Sequence, residues 1–351
     1  MKHIILDCFK DFKCTARECS DNCCIGWEID VDDESYVFYK NLTCELGKKI
    51  IKNIDLEGDK HFLLGESERC PFLNNDNLCD IILELGEEKI PEICKNHPRF
   101  FTWLYDRCEM GIGLCCEEGA RRLFESPEIL KIEVDYTLTD NLSDVLTYAR
   151  EVAFSILQNR DYSIFSRLKT FFEFSKKIDE CLIVEDTVRI KEICREDLIF
   201  VEKPEVSLDE DIEKVIGIFK KLEPINDEWS KYINKLLKNA DEIYRKKDEF
   251  LGFYKEKLYE YEHLAAYFVF RYFLKAVDDF DLLSKVNFII LNLFFEIIMD
   301  INSYIENGYV DRVENSKFHS KEVEYSEENI ALIEEMSYAE FEDLGLLIDN
   351  F

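Results

Sequence analysis

Glycine and proline are scarce in this sequence, with 12 and 6 residues in a chain of 351. Because both residues favour turns and interrupt helices, their scarcity predicts a mainly α-helical protein. Lysine and arginine are also outnumbered, 44 against 75 acidic residues, which leaves a net charge of −31. This charge repels phosphate backbones, and no basic stripe offsets it, so we expect no nucleic-acid partner. An acidic surface instead favours basic partners such as lysine-bearing proteins.

The sequence also lacks an export signal and a membrane span. Its first twelve residues are interrupted by charged side chains and have no apolar core of the kind that signal peptides need. The most apolar run, Val286 to Met299, is short for a membrane span and contains Glu296. We therefore expect a cytoplasmic protein without membrane insertion, in which the cysteines stay reduced.

Cysteine, in contrast, is present in quantity and unevenly distributed. Twelve of the 14 cysteines precede residue 117, and only Cys181 and Cys194 follow. Cysteines that served merely as small apolar residues would be scattered through the whole core. We therefore predict a small cysteine-cluster metal-binding module at residues 1–125, packed on a larger helical domain at residues 126–351.

The cysteines of this module fall in three main stretches: Cys14 to Cys24, Cys70 to Cys94, and the adjacent Cys115 and Cys116. Short loops that carry several thiolates, completed by thiolates from distant loops, suit a metal that takes four sulfur ligands. No two cysteines are separated by two residues, so the usual zinc-knuckle and thioredoxin-type spacings are absent. The spacing favours an iron–sulfur cluster and leaves zinc and a metal-free thiol cluster open.

Apolar residues at helical spacing predict a series of helices in the later two-thirds of the chain. Ser143 and Ser326 are predicted to cap two of them. The predicted helices are Asp144–Gln158, Ser163–Cys181, Leu208–Leu222, Asp227–Glu249, Tyr254–Ala276, Leu282–Ile305 and Glu327–Glu342. The pattern is weakest between Val184 and Pro204, where short apolar stretches alternate with charges.

Six segments of the sequence resemble the flagellin lysine-N-methylase family, in order along most of the chain. Three contain the cysteines: Phe12 to Asp30, Arg69 to Arg99, and Leu114 to Arg121. Three lie beyond them: Ile156 to Leu168, Tyr261 to Phe273, and Ser320 to Asn329. The cysteine-rich half alone also resembles a broader group of iron- or zinc-chelating proteins, so the later segments make the resemblance specific.

The resemblance implies methyl transfer from S-adenosylmethionine to flagellin lysines by a protein with an iron–sulfur cluster, zinc being the alternative metal. It also implies eight metal-ligating cysteines, which are Cys14, Cys19, Cys23, Cys24, Cys70, Cys79, Cys94 and Cys116. The sequence departs from the family at two positions. His97 stands where an aromatic residue precedes Pro-Arg, and Tyr325 stands where the family has histidine.

The residues themselves reveal no binding loop for S-adenosylmethionine. The glycine-rich loop of Rossmann-type methyltransferases is absent, because Gly111 and Gly113 follow no convincing strand. Methyl transfer to lysine needs a neutral amine aligned with the methyl group in a dry, aromatic-lined site. Aromatic residues are plentiful, but Tyr267, Phe270 and Phe273 recur at helical spacing and indicate core packing. The methyltransferase hypothesis therefore rests on the resemblance, and the helical domain is expected not to be Rossmann-like.

Candidate site residues outside the cysteines are few. Glu322 and Tyr325, together with Glu324, are predicted to hold or deprotonate a lysine amine, the alternative being a solvated charged loop. The candidate cofactor-binding residues are Arg99, Arg160 and Arg271. For these arginines the alternatives are ion pairs at the edge of the core and ordinary surface positions.

The sequence thus leaves more than one class of function open. The leading hypothesis is a protein lysine N-methyltransferase whose partner is flagellin or another lysine-bearing protein. The alternative is a protein that binds or handles iron–sulfur or zinc without transferring methyl groups, and a redox protein ranks third. Binding of S-adenosylmethionine distinguishes the first hypothesis from the other two.

Overall fold

A computed structural model describes the protein at residues 3–26, 29–105, 107–132, 136–200, 210–341 and 344–350. Helices dominate these residues, so the predicted mainly α fold is confirmed. The helices are α1 (Asp33–Lys40), α2 (Glu45–Lys52), α3 (Asp80–Leu85), α4 (Glu92–Asn96), α5 (Glu117–Phe124), α6 (Leu142–Leu157), α7 (Ile164–Leu182), α8 (Thr187–Ile193), α9 (Glu210–Phe219), α10 (Asp227–Phe253), α11 (Tyr259–Tyr272), α12 (Ala276–Asp279), α13 (Leu282–Asn307), α14 (Arg312–Val323), α15 (Glu327–Glu340) and α16 (Leu344–Asn350). The strands are β1 (His3–Ile4), β2 (Ile54–Asp55), β3 (His61–Phe62), β4 (Arg99–Trp103) and β5 (Cys108–Ile112).

The chain divides into two compact units. The cysteine-rich unit comprises Asp11–Phe100 and Cys116–Gly119. The helical unit comprises Met1–Lys10, Phe101–Cys115 and Ala120–Phe351. Strand β1 belongs to the helical unit because it pairs in parallel with β5, which places residues from the start of the chain in that unit's sheet.

The cysteine-rich unit has a small apolar core of its own. Helices α1 and α2 pack together, and Tyr39 and Ile50 are completely buried between them and the neighbouring loops. Strands β2 and β3 pair antiparallel, with Ile54 opposite Phe62. Four cysteines lie in this core or pack against it: Cys24, Cys70, Cys79 and Cys94. Apolar burial therefore holds the loops that carry these thiols.

Backbone contacts join the same loops directly. The N–H of Cys70 donates to the carbonyl of Cys24 over 2.9 Å. Ile25 and Arg69 form an isolated antiparallel bridge next to this bond. Loops that are distant in the sequence are thus adjacent in the unit, and their cysteines are carried with them.

Helix α13 forms the centre of the helical unit. It packs against α7, α9, α10, α11, α14 and α15, and its side chains are buried on nearly every face from Leu282 to Asn302. A helix that is apolar all round is stable only when it is enclosed. The N-cap Asp281 accepts a hydrogen bond from the N–H of Ser284, and Gly308 ends the helix in the left-handed conformation with φ 74°.

The length and composition of α13 also meet the requirements of a membrane-spanning helix. Among the described residues it is the one helix that does so, but 94% of its most apolar window is buried inside the protein. Such burial is typical of a core helix, which is the prediction made for Val286 to Met299.

Most of the long helices begin and end within a few residues of their predicted positions. Ser163 is the N-cap of α7, and Ser326 is the N-cap of α15. Each serine side chain accepts a hydrogen bond from the backbone N–H of the residue three positions later. Helix α6 begins two residues before the predicted start because Asn141, and not Ser143, is its N-cap. The predicted positions that lie outside the described residues are Trp27, Glu28, Pro204, Leu208 and Glu342.

In the later two-thirds of the chain, helices α8, α14 and α16 and the short α12 are absent from the predictions, and one expectation about a strand was wrong. Gly111 lies inside β5, which precedes α5, whereas no convincing strand was expected there. The sheet that contains β5 nevertheless has the order β1-β5-β4. This small three-stranded sheet differs from the doubly wound parallel sheet of a Rossmann fold, so the described part of the helical unit is not Rossmann-like.

Candidate active site and thiol clusters

Helix α11 and the segment after α14 bring five polar side chains together in the helical unit. Tyr267 and Arg271 lie one turn apart on α11, and Tyr272 follows directly. Glu324 and Tyr325 are the two residues after α14. The side chains from α11 and Glu324 are buried, and Tyr325 is partly exposed. We refer to these five residues as the tyrosine–glutamate cluster.

Glu324 is the centre of the tyrosine–glutamate cluster. The Oε2 atom of its carboxylate lies 2.7 Å from Nη1 of Arg271. The same oxygen accepts hydrogen bonds from the hydroxyls of Tyr267 (2.9 Å) and Tyr272 (3.1 Å). Nη2 of Arg271 donates to the backbone carbonyl of Glu324 over 2.9 Å, which fixes the segment after α14. One carboxylate oxygen is therefore fully engaged.

The second carboxylate oxygen of Glu324, Oε1, has a different environment. It is buried and has no hydrogen-bond partner among the described residues. Buried polar atoms in native proteins are rarely left unpaired. Because a carboxylate oxygen accepts hydrogen bonds and does not donate them, the group that completes this site is a donor, such as an amine.

Tyrosine rings line the cluster. The guanidinium carbon of Arg271 is 5.4 Å from the ring centroid of Tyr272 and 5.5 Å from that of Tyr325, which are cation–π distances. Burial raises the pKa values of Tyr267, Tyr272 and Tyr325 well above the usual tyrosine value. The three hydroxyls are therefore neutral at physiological pH, and the charges of the cluster are those of the Arg271–Glu324 ion pair.

The structure separates the two residues that were predicted to act on a lysine amine. Tyr325 lies in the tyrosine–glutamate cluster. Glu322 is buried, and its Oε2 atom accepts a hydrogen bond from the backbone N–H of Ile225 over 3.0 Å. Burial raises the pKa of Glu322, with this hydrogen bond opposing the rise. The carboxylate of Glu322 thus anchors a backbone segment, and Glu324 supplies the carboxylate of the cluster.

The three predicted cofactor-binding arginines lie in different surroundings. Arg271 belongs to the tyrosine–glutamate cluster. Arg160 donates from Nε and Nη2 to the carboxylate of Glu262, over 2.9 and 2.8 Å, and Arg167 donates to the same carboxylate over 2.7 Å. Arg99 belongs to the cysteine-rich unit, where its guanidinium lies 5.6 Å from the ring centroid of Phe12. Arg160 and Arg271 thus each pair with a different carboxylate of the helical unit, Glu262 and Glu324.

Five thiols lie near one another in the cysteine-rich unit, and we call them the five-thiol cluster: Cys23, Cys24, Cys70, Cys79 and Cys94. The thiols of Cys23 and Cys24 are hydrogen-bonded, and this bond lowers the pKa of Cys23 to about 4 against the effect of burial. His97 is hydrogen-bonded to Cys23 and lowers its pKa further. Burial, followed by the effect of other thiols in the cluster, raises the pKa of Cys94 to about 12.

A second group of thiols in the same unit consists of Cys14, Cys19 and Cys116. Burial raises the pKa of Cys116 to about 11, and the thiols of Cys19 and Cys14 add to the rise. The Sγ atom of Cys19 lies 3.6 Å from Oε2 of Glu117. The eight cysteines implied by the resemblance therefore occur as a group of five and a group of three.

Metal ligation by these cysteines stays a prediction. Within the described ranges, no group of three or more His, Cys, Asp or Glu side chains is arranged to hold a metal ion. The cysteines outside the two groups include the exposed Cys44 in the cysteine-rich unit and Cys8, Cys108 and Cys115 in the helical unit.

Residues 150–348 match the family model of the FliB lysine N-methylase C-terminal domain. This match covers more than half of the chain and includes the tyrosine–glutamate cluster. The chain belongs to the FliB lysine N-methylase family. Family membership confirms the resemblance that the sequence segments indicated, and the matched region runs from within α6 to within α16.

Curated relatives are similar to a shorter part of the chain. Over 130 residues it is 27% identical to the flagellar biosynthetic protein FliU of Salmonella muenchen, covering 34% of this chain and 76% of that protein. Over 128 residues it is 24% identical to a lysine-N-methylase of Salmonella typhimurium, covering 34% of this chain and 32% of that protein. Over 128 residues it is 23% identical to a lysine-N-methylase of Salmonella choleraesuis, covering 34% of this chain and 32% of that protein. The match thus spans about a third of either lysine-N-methylase, and no solved structure matches this chain.

Proposed function

We propose that this FliB-family protein is a lysine N-methyltransferase that uses S-adenosylmethionine and modifies a lysine-bearing protein, with flagellin as the favoured substrate. Two of its relatives are lysine-N-methylases, and a third is a flagellar biosynthetic protein. The observation in the chain that carries the proposal is the unpartnered Oε1 atom of Glu324 within a tyrosine-lined site of the family-matched region.

The tyrosine–glutamate cluster suits the chemistry of a lysine amine. Only the neutral amine attacks a methyl group, because its lone pair forms the new nitrogen–carbon bond. Oε1 of Glu324 can accept one amine N–H and thereby orient that lone pair. The surrounding tyrosine rings exclude water. S-adenosylmethionine supplies the methyl group, and the electron pair of the broken methyl–sulfur bond stays on sulfur. The net charge of −31 favours approach of a lysine-bearing partner.

We also propose that the five-thiol cluster holds a metal, an iron–sulfur cluster in preference to zinc. The support is its donor set: sulfur atoms from separate loops of one small core, a ligand type that both metals accept. The residues that would hold the metal are Cys23, Cys24, Cys70, Cys79 and Cys94. A metal bound by them would cross-link the loops of the cysteine-rich unit.

The proposed activity is tested with the full chain purified without oxygen. The protein is incubated with methyl-labelled S-adenosylmethionine and recombinant flagellin, and labelled positions are found by mass spectrometry. We expect label on flagellin lysines and none on flagellin whose lysines have been chemically acetylated beforehand. Label on neither substrate, with the protein folded and its metal present, would contradict the proposal.

The Glu324→Gln variant is expected to transfer methyl groups about 10- to 100-fold more slowly, the value of a hydrogen bond to a charged group. The amide removes the negative charge that orients the amine and leaves Arg271 without its partner. The matched control is Glu262→Gln, because Glu262 is also a buried carboxylate paired with arginine, and it lies on α11, the helix that carries Arg271. The readout is the initial rate per folded molecule at saturating substrate. Equal losses in both variants would show that the effect of Glu324→Gln is only structural.

The second candidate function is a metal-handling protein without methyltransferase activity, and the five-thiol cluster is the observation that favours it. Reversible transfer of metal to a weak chelator, together with absence of S-adenosylmethionine binding in calorimetry, would support this alternative. Retention of the metal and binding of S-adenosylmethionine would exclude it.

A further inference from the structure

Lys275 contacts the tyrosine–glutamate cluster and is exposed to solvent. It ends the short 3₁₀ turn Phe273–Lys275, which continues from α11, about one helical turn after Arg271. Its Nζ atom lies 4.9 Å from the ring centroid of Tyr272. The hydroxyl of the same ring donates to Oε2 of Glu324 over 3.1 Å. One aromatic ring of the candidate site therefore contacts an amine that solvent can reach.

The amine of Lys275 has neither an ion-pair partner nor a hydrogen bond in the part of the chain that the structure describes. The carboxylate of Glu334, whose charge acts on Lys275, already lies 3.0 Å from the amine of Lys285. Partial removal of water by neighbouring atoms, followed by the positive charge of Arg271, lowers the pKa of Lys275. A larger fraction of this amine is consequently neutral, and the neutral form is the one that attacks a methyl group.

Lys257 is a second lysine over a tyrosine ring, with a different partner. Its Nζ atom lies 5.8 Å from the ring centroid of Tyr254, whose hydroxyl donates to Glu260. The same amine is 3.5 Å from a carboxylate oxygen of Glu260. A carboxylate at this distance favours the protonated amine, which has no lone pair with which to attack. Contact with an aromatic ring is thus common to both lysines, and the carboxylate of Glu260 distinguishes Lys257 from Lys275.

We propose that Lys275 is a methylation site at which the protein modifies itself, an inference that rests on the proposed methyltransferase function. The amine of Lys275 loses its proton to water, and its lone pair forms a bond to the methyl carbon of S-adenosylmethionine. The methyl–sulfur bond breaks at the same time, and its electron pair stays on sulfur. The product is a methylated ammonium group, so the positive charge over Tyr272 is kept. Aromatic rings bind such groups favourably.

The position of Lys275 favours methylation within one molecule over methylation by a second copy. The amine and the ring of Tyr272 belong to one helical segment, so no encounter between molecules is needed to bring the acceptor to the site. The flexible four-carbon stem of lysine lets the amine move without a change in the backbone. The rate per molecule should therefore be independent of the protein concentration.

The test uses the full chain purified without oxygen and S-adenosylmethionine with a deuterated methyl group, with flagellin in the same reaction. Digestion and mass spectrometry give the modified fraction of each recovered lysine, and methyl groups added during expression are counted together with labelled ones. We expect Lys275 to be modified at least about 10-fold more than Lys257, because proximity to the site accelerates its reaction. Dilution of the protein should leave the rate of labelling per molecule unchanged.

Two variants identify the acceptor. Lys275→Arg keeps a positive charge over Tyr272 and removes the amine, so most of the labelled methyl groups on the chain should be lost. Lys257→Arg is the matched control and should keep them. Circular dichroism shows that both variants are folded. Unchanged label in Lys275→Arg would overturn the proposal.

The outcomes separate this inference from the proposed function. Label on flagellin together with unmodified Lys275, or with equal modification of Lys257, would overturn self-methylation and leave the proposed function intact. A rate per molecule that rises in proportion to protein concentration would overturn the reaction within one molecule. Label on Lys275 without label on flagellin would support the inference and exclude flagellin as the substrate. Absence of label from both would contradict the proposed function itself and, with it, this inference.

Discussion

Replacement of Arg312 with methionine is expected to lower the free energy of unfolding of the helical unit by about 3–5 kcal/mol, the cost of breaking a buried ion pair. The guanidinium of Arg312 pairs with two carboxylates of the central helix, Glu296 and Asp300, and all three side chains are buried. Methionine keeps the apolar stem and removes the charge, so two carboxylates remain in the core without their cation. Such a loss is a large part of the stability of an ordinary domain.

The pH dependence of this loss has a definite sign. In the wild type the pKa of Glu296 lies below its usual value because Arg312 and His319 outweigh burial, so this group stabilises the fold above about pH 4.5 and less as the pH falls. Burial already raises the pKa of Asp300 against the effect of Arg312. Without Arg312 both pKa values rise, and a carboxyl group with a raised folded-state pKa loses stability as the pH rises through it. The difference from the wild type should therefore be larger at about pH 8 than at about pH 5.

Urea unfolding, followed by circular dichroism and by tryptophan emission, to which the buried Trp229 contributes, measures this difference. The control variant is Arg189→Met, because Arg189 pairs with Glu192 and Glu196 at the exposed surface. Exposed pairs contribute little to stability, so the unfolding midpoint of this variant should stay close to the wild-type value. If Arg312→Met unfolds at the same urea concentration as Arg189→Met, the ion pairs of Arg312 with Glu296 and Asp300 do not stabilise the packing of α14 against α13.

The helices that were predictable are those whose stability comes from local pattern. Helix α13 is a long apolar run, and α7 and α15 each follow a serine whose side chain accepts a backbone hydrogen bond. Helix α14 has no such pattern. Its buried face contains Arg312, Ser316 and His319, which bond to carboxylates of α13. Because these buried residues are polar, the sequence of α14 alone looks like that of a solvated loop.

The candidate site shows the same division between local and tertiary information. The sequence could single out Arg271 and Tyr325, but it could not separate Glu322 from Glu324, because the end of α14 decides which carboxylate faces α11. The helical spacing of Tyr267 indicated core packing, and its ring is indeed completely buried. Only the structure shows that its hydroxyl reaches Glu324. Helical periodicity identifies a buried ring and gives no information about the partner of its polar tip.

The resemblance identified eight cysteines, but their division into two groups depends on contacts between loops. Cys70 joins Cys24 through a backbone hydrogen bond, and Cys116 returns to the cysteine-rich unit after a stretch that belongs to the helical unit. The parallel pairing of β1 with β5, His3 opposite Cys108, takes the first residues into the helical unit. Neither contact can be recognised from the neighbouring sequence. For this reason the sequence predicted one continuous module, residues 1–125, whereas each unit of the structure consists of separate segments.

Replacement of Cys70 with alanine is expected to remove most of the metal proposed for the five-thiol cluster and to unfold the cysteine-rich unit. Cys70 is buried in the core of that unit, and a metal held by several loops contributes its binding free energy to folding. The measurements are iron, zinc and acid-labile sulfide content, absorption near about 400 nm, and limited proteolysis of the full chain. Cys44→Ala is the matched control, because Cys44 is exposed at the start of α2 and lies outside both thiol groups.

The two variants distinguish a ligand from a packed thiol. Loss of one buried sulfur atom without a metal leaves only a small cavity, so the unit would stay folded and proteolysis would be unchanged. Loss of a ligand releases the metal and opens several loops at once. Full metal content in Cys70→Ala would therefore remove Cys70 from the ligand set. Equal metal loss in Cys44→Ala would show that the metal is bound outside the five-thiol cluster.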